Sequence, residues 1–142
     1  MTSPELENLV QIGKLKREPP SRREFHGLLH SGAARLADAA NPHLALESRF
    51  DLAYNAAHAF ALAALRRCGY RSENRYLVFQ MLAHTAGLPA PTSRVLTKCH
   101  ERRNLAEYEG LLEVDERLVA DLILAAQALL DTLRGLTPPS GE

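Results

Sequence analysis

The chain predicts an all-α fold, an antiparallel bundle of four to five helices, on three observations. Apolar residues recur at helical spacing in nearly every segment between the prolines and glycines. No stretch alternates with period two, and β-branched residues are few. The breaks between periodic segments are short, which favours antiparallel neighbours.

Each element follows in order. Leu6, Leu9, Val10 and Ile12 mark a helix over residues 5–16, closed by Pro19-Pro20. Ser21 is an N-cap candidate for a second helix over 22–40, with Phe25, Leu28, Leu29 and Leu36 on its stripe. Asn41-Pro42 ends it, because a residue before proline avoids the α region. The third helix, 44–68, is apolar almost all round, so it is read as the central one. Gly69 stops it, with Arg66 and Arg67 in the last turn. A fourth helix is expected over 73–86, a short fifth over 92–103 and a last one over 114–134, stopped by Gly135. The domain reading is an N-terminal helix and linker (1–20), the bundle (21–135) and a disordered tail (136–142).

A length of 142 residues suits one domain and buries roughly 70% of the unfolded surface without disulfides. Cys68 and Cys99 are expected to be reduced and unpaired. The first residues lack the pattern of a signal peptide, and no apolar run approaches about eighteen residues. A cytoplasmic protein with no membrane partner is therefore expected. Seventeen basic and seventeen acidic residues give a formal charge of zero, which excludes a bulk polycation. Locally the balance differs. Residues 14–35 hold six basic and two acidic residues, 66–75 four and one, and 94–103 four and one. Residues 104–142 hold two basic and eight acidic.

The segment His100-Glu101-Arg102-Arg103-Asn104-Leu105-Ala106-Glu107-Tyr108 is the most informative. On the central helix, Asp51, Asn55 and His58 share one face at i, i+4 and i+7. That stripe is either solvated or a satisfied polar seam, and as a seam it would let Asp51 reach and orient Arg103, with His58 lining the same cleft. Read plainly, Arg102 and Arg103 are cations in a helix's last turn, paired with Glu107 and Glu109, and Tyr108 is a half-buried bundle residue. Arg66, Arg67, Arg71 and Arg75 form a candidate basic patch, which helix-end solvation also explains. His26 and His30 lie four apart, but the metalloprotease pattern is missing and no metal site is expected.

With Arg103, Asn104 and Tyr108 in that order, and an Ala-rich central helix carrying Phe50, Tyr54 and His58, the chain resembles the HEPN family (higher eukaryotes and prokaryotes nucleotide-binding domain). The resemblance covers residues 20–134 as a layout and about ten residues in detail. That family is marked by an Arg, often followed by a polar residue, then four to six variable residues and a His. Active members are metal-independent endoribonucleases with the motif at a dimer cleft. The resemblance thus implies Arg103, Asn104 and Tyr108 as the catalytic set, with no cofactor; Asp51, Asn55 and His58, from the shared face of the central helix, and the neighbouring Arg102 are the expected supporting residues. It implies a homodimer, RNA or nucleotide as ligand, and a nucleotidyltransferase-like antitoxin partner in a toxin–antitoxin or defence pair. This chain departs from the pattern at Tyr108, where the family has His. A phenol titrates near pH 10, so Tyr108 would be a poor general base. The alternative is a non-catalytic helical interaction module beside a nucleotidyltransferase-like or regulatory protein.

Overall fold

The computed structural model describes residues 3–141. Its order is α1 (Pro4–Gln11), β1 (Lys16–Arg17), α2 (Arg22–Ala39), α3 (Leu46–Arg67), β2 (Tyr70–Arg71), α4 (Arg75–Gln80), α5 (Leu82–Thr85), α6 (Ala90–Glu109) and α7 (Glu116–Arg134). The all-α class holds, and the long helices α2, α3, α6 and α7 form the bundle. Among the described residues no helix is long and apolar enough to cross a membrane.

Capping explains where three helices start. The Ser21 hydroxyl accepts from Glu24 N at 3.1 Å, Asn74 Oδ1 from Leu77 N at 3.1 Å, and Asp115 Oδ1 from Leu118 N at 2.7 Å. Each satisfies an N–H that the first turn leaves without a helical partner. As expected, α3 is central, packing on α2, α4, α5, α6 and α7. Its alanines Ala53, Ala56, Ala57, Ala61, Ala63 and Ala64 are buried and let neighbours approach closely. Gly32 on α2 is needed for this: a Cβ there would lie 2.3 Å from Phe60 on α3. From the other side α7 seats Leu118, Leu122, Leu129 and Leu133 in the core, each leucine giving roughly 1.5–3 kcal/mol of gross transfer free energy.

Four expectations are corrected. First, no strand was expected, yet β1 and β2 pair antiparallel, Arg17 opposite Tyr70. Two-residue strands are too short to leave a period, and the pairing is held from outside by Arg66. Its guanidinium donates to Glu18 O at 3.0 Å, Tyr70 O at 3.2 Å and Pro19 O at 2.7 Å. Second, the basic patch dissolves. Arg66 is 2% exposed and, with Arg71, is neutralised by Glu18 and Glu24. Third, the helix expected over 73–86 breaks at Met81, whose ψ of −1° lets His84 N close back on Met81 O at 2.9 Å. Fourth, α6 is much longer than expected. Nothing between Arg103 and Glu109 breaks a helix, and Gly110, at φ +73°, supplies the stop. Arg102 and Arg103 are therefore mid-helix, and a last-turn dipole role does not apply to them.

Both termini pack on the bundle. Leu6 and Leu15 join the core. In the segment expected as a tail, Arg22 N donates to Gly141 O at 2.6 Å and Arg67 Nε to Thr137 O at 2.7 Å. Of that segment, Glu142 lies outside the described residues, as do Met1 and Thr2 of the N-terminal unit. Both cysteines are free.

Candidate functional site

Three helices bring polar and aromatic side chains together. Asp51, Tyr54, Asn55 and His58 come from α3, Arg75, Tyr76 and Phe79 from α4, and His100, Arg103 and Asn104 from α6. Asn74, as the cap of α4, fixes where Arg75 enters the site.

Tyr54 is the centre. Its ring is 2% exposed, and two guanidiniums stand by it: Arg75 at 5.6 Å and Arg103 at 5.5 Å from the ring centroid. Its hydroxyl lies 2.8 Å from His100 Nδ1. The other ring nitrogen of His100 lies 3.0 Å from the Asn104 amide nitrogen. In that orientation the neutral imidazole carries its proton on Nδ1 and donates it to the Tyr54 oxygen; turning the amide over reverses both bonds. Asn104 thus orients His100, four residues before it on the same helix face.

The two arginines differ in their partners. Arg103 pairs with Asp51 at 2.9 Å and, more distantly, with Glu107 at 3.9 Å. Arg75 donates to Asn55 Oδ1 at 3.2 Å, and among the described residues no carboxylate pairs with it. Asn55 in turn donates to Asp51 O at 2.8 Å. The stripe on α3 is therefore a seam that sinks inward, with Asp51 exposed and Asn55 and His58 partly buried. His58 lies edge-on to Phe79, and its Nε2 is buried with no hydrogen-bond partner among the described residues.

Burial and positive charge keep these groups neutral near pH 7. His58 is depressed to about 4, first by burial and then by Arg75 and His100. Burial also lowers His100, with Arg75 adding to the effect. Burial raises the Tyr54 phenol, against the opposing pull of Arg75 and Arg103. With the Asn104 amide turned over, Nδ1 of the neutral imidazole accepts from the Tyr54 hydroxyl and can take up its proton. Beside it, two guanidinium forks can hold an oxyanion. Among the described residues no three or more His, Cys, Asp or Glu side chains gather as a metal site.

Of the seven residues singled out from the sequence, five meet here: Asp51, Asn55, His58, Arg103 and Asn104. Two do not. Tyr108 is 94% exposed. Five residues on a helix turn it about 140° from Arg103, so on one continuous helix the pair cannot face one pocket. Arg102 points elsewhere as well, donating to Glu113 O at 3.3 Å. Tyr54, Arg75, Tyr76 and His100 were missed. His100 and Tyr54 did carry a signal: His100 is i−4 to Asn104, and Tyr54 is i+3 to Asp51. Arg75 was named only as part of a candidate basic patch, with nothing in its spacing to tie it to Arg103. No family model, curated protein or solved structure matches the chain.

Proposed function

We propose that the chain is a HEPN-like helical protein that binds nucleotide or RNA by its phosphate, between Arg75 and Arg103 over Tyr54. The observation that carries this reading is the pair of guanidiniums converging on one buried phenol, with a carboxylate on Arg103 and only a neutral amide on Arg75. That leaves a fixed positive charge beside an aromatic edge, suited to a phosphate. Asp51 holds Arg103 until an anion takes that edge. Where the bound ligand is RNA to be cleaved, His100 is the group suited to move the proton. It sits as free base at neutral pH, is oriented by Asn104, and is bonded to Tyr54.

The test is calorimetric titration of the protein with AMP, with and without Arg103→Ala, together with an RNA cleavage assay in EDTA. Binding that Arg103→Ala removes supports the reading. Cleavage that persists in EDTA and disappears in His100→Ala supports the enzymatic version. Equal binding by wild type and Arg103→Ala contradicts the reading.

A second reading, an interaction module, is favoured by one specific observation. Leu105, Tyr108 and Leu111 lie at three-residue intervals around the end of α6 and are 52%, 94% and 58% exposed. Apolar side chains this open are suited to a second copy of the chain or to a nucleotidyltransferase-like partner, as in a toxin–antitoxin pair. Light scattering tests the homodimer: a dimeric mass that becomes monomeric in Leu105→Asp supports it, and a monomeric wild type contradicts it.

A further inference from the structure

Four rings make a row of successive contacts from the core to the surface, with Phe79 packed against the middle two. Phe50, fully buried, lies 6.2 Å from Tyr54 with their planes 8° apart. Tyr54 lies 6.1 Å from His100 at 20°, and His100 lies 5.8 Å from Tyr76 at 36°. The first two pairs are stacked and the last is tilted. Exposure rises along the row, from 0% at Phe50 through 2% and 6% to 38% at Tyr76. Tyr76 packs against His100 and is the most exposed ring of the four. Arg75, directly before Tyr76 in the chain, and Arg103 both stand beside the second ring of the row.

An exposed ring at one end of a cluster that also holds two cations narrows the class of ligand. Aromatic faces also attract cations, but Arg75 and Arg103 repel them here. A purely apolar ligand would leave the guanidiniums unused. A ligand with a flat π-face and an attached anion uses both features, and an unpaired nucleotide has both. A base inside a duplex has each face already covered by its neighbours, so only an unpaired one can lie on a side-chain ring.

We propose that Tyr76 is a base-stacking subsite: an unpaired nucleotide lays its base against the exposed part of Tyr76, with its phosphate toward Arg75 and Arg103. This rests on the phosphate reading above and adds what that reading leaves open, namely which part of the ligand is recognised besides its charge. Tyr76 is a binding residue for the base, and it does not take part in proton movement.

The experiment compares AMP with ribose 5-phosphate, which lacks the base, by calorimetry on wild type, Tyr76→Leu and Tyr76→Phe. Stacking on one ring predicts that wild type binds AMP on the order of tenfold tighter than ribose 5-phosphate. Tyr76→Leu brings that ratio close to one and leaves ribose 5-phosphate binding unchanged, while Tyr76→Phe keeps the ratio. Tyr76 is partly exposed, and retention of ribose 5-phosphate binding reports that the variant is folded. A single-stranded hexa-adenylate separates the two sources of such a unit. If Tyr76→Leu weakens it and wild type binds it tighter than AMP, the ligand is an RNA strand; if AMP binds as tightly, it is a free nucleotide. A wild-type ratio near one, or a ratio that survives Tyr76→Leu, overturns the stacking subsite and leaves the phosphate reading standing. If AMP, ribose 5-phosphate and the hexamer all fail to bind, the phosphate reading itself fails, and the subsite with it.

Discussion

Two arginine clusters sit at opposite stretches of α3, and they are built differently. At its C-terminal end Arg66 is enclosed. It pairs with Glu24 at 2.7 Å and Glu18 at 3.3 Å and donates to three backbone carbonyls, while Arg71 shares the same two carboxylates. Two cations meet two anions, and the Arg66 donors are satisfied by protein. At the other cluster, Arg103 has one close carboxylate, Asp51, which is itself half-exposed, and Arg75 has an amide. The first cluster is closed and pins β1, β2 and α2 to α3. The second is open and retains capacity for an anion. Charge density alone does not separate the two, since both come from basic stretches of sequence. The distinction lies in how many of each guanidinium's partners the protein already supplies.

The largest effect should come from breaking the closed cluster. Arg66→Ala leaves Glu24 partly buried beside the cavity and three carbonyls without their donor. Glu18 and Glu24 keep Arg71, but a buried acceptor left without its donor costs about 1–3 kcal/mol, so urea unfolding should show a loss of about 3 kcal/mol or more. A loss below about 1 kcal/mol would mean that the cluster does not hold the fold.

A smaller effect belongs to the wall of the open cluster. His58 has a folded pKa of about 4 against an ordinary value of 6.5. Below pH 6.5 the unfolded chain takes up a proton that the folded chain refuses. This contribution to stability is therefore complete above about pH 6.5 and is lost as the pH falls from there toward 4. The difference amounts to about 3 kcal/mol. Denaturant unfolding of wild type and His58→Phe at pH 7.5 and 4.5 should show a steeper acid loss in wild type, and parallel losses would contradict it.

The smallest stability effect is expected at the open cluster itself. Arg103→Ala breaks an exposed pair with Asp51, worth under about 1 kcal/mol. A melting temperature near that of wild type, combined with loss of AMP binding, would set Arg103 apart from Arg66 as a ligand-binding group. A large loss of stability would make the two clusters alike.

How much of this was legible in the sequence differs by element. Ser21 and Asp115 have side chains that cap, and Gly69 closes a helix carrying an apolar stripe, so the local signals agreed with tertiary packing. The fifth helix, expected to end at Arg103, runs on to Glu109. The helix formers Leu105, Ala106 and Glu107 argued for continuation as far as Gly110. That one boundary carried the main site error. With Asn104 to Tyr108 helical, Tyr108 turns away and His100 comes onto the face of Arg103 and Asn104. The reach of Asp51 to Arg103 was readable in outline, since both belong to helices with strong patterns. Arg75 was not, because its place depends on how α4 docks on α3 after β2, and β2 is held by the buried Arg66. Residue spacing does not encode a contact made through so many intermediates. Gly32 was missed for the same reason: its need for small size comes from Phe60, which is 28 residues away in the chain.

The most direct test of the central claim watches both clusters in one sample. In a protein labelled with nitrogen-15 at arginine, the Nε–H resonances of Arg66, Arg71, Arg75 and Arg103 are assigned by single substitutions and followed as AMP is added. The account predicts that Arg75 and Arg103 shift together along one saturating curve while Arg66 and Arg71 stay in place. Shifts at Arg66 and Arg71, or none at Arg75 and Arg103 at saturating AMP, would contradict it.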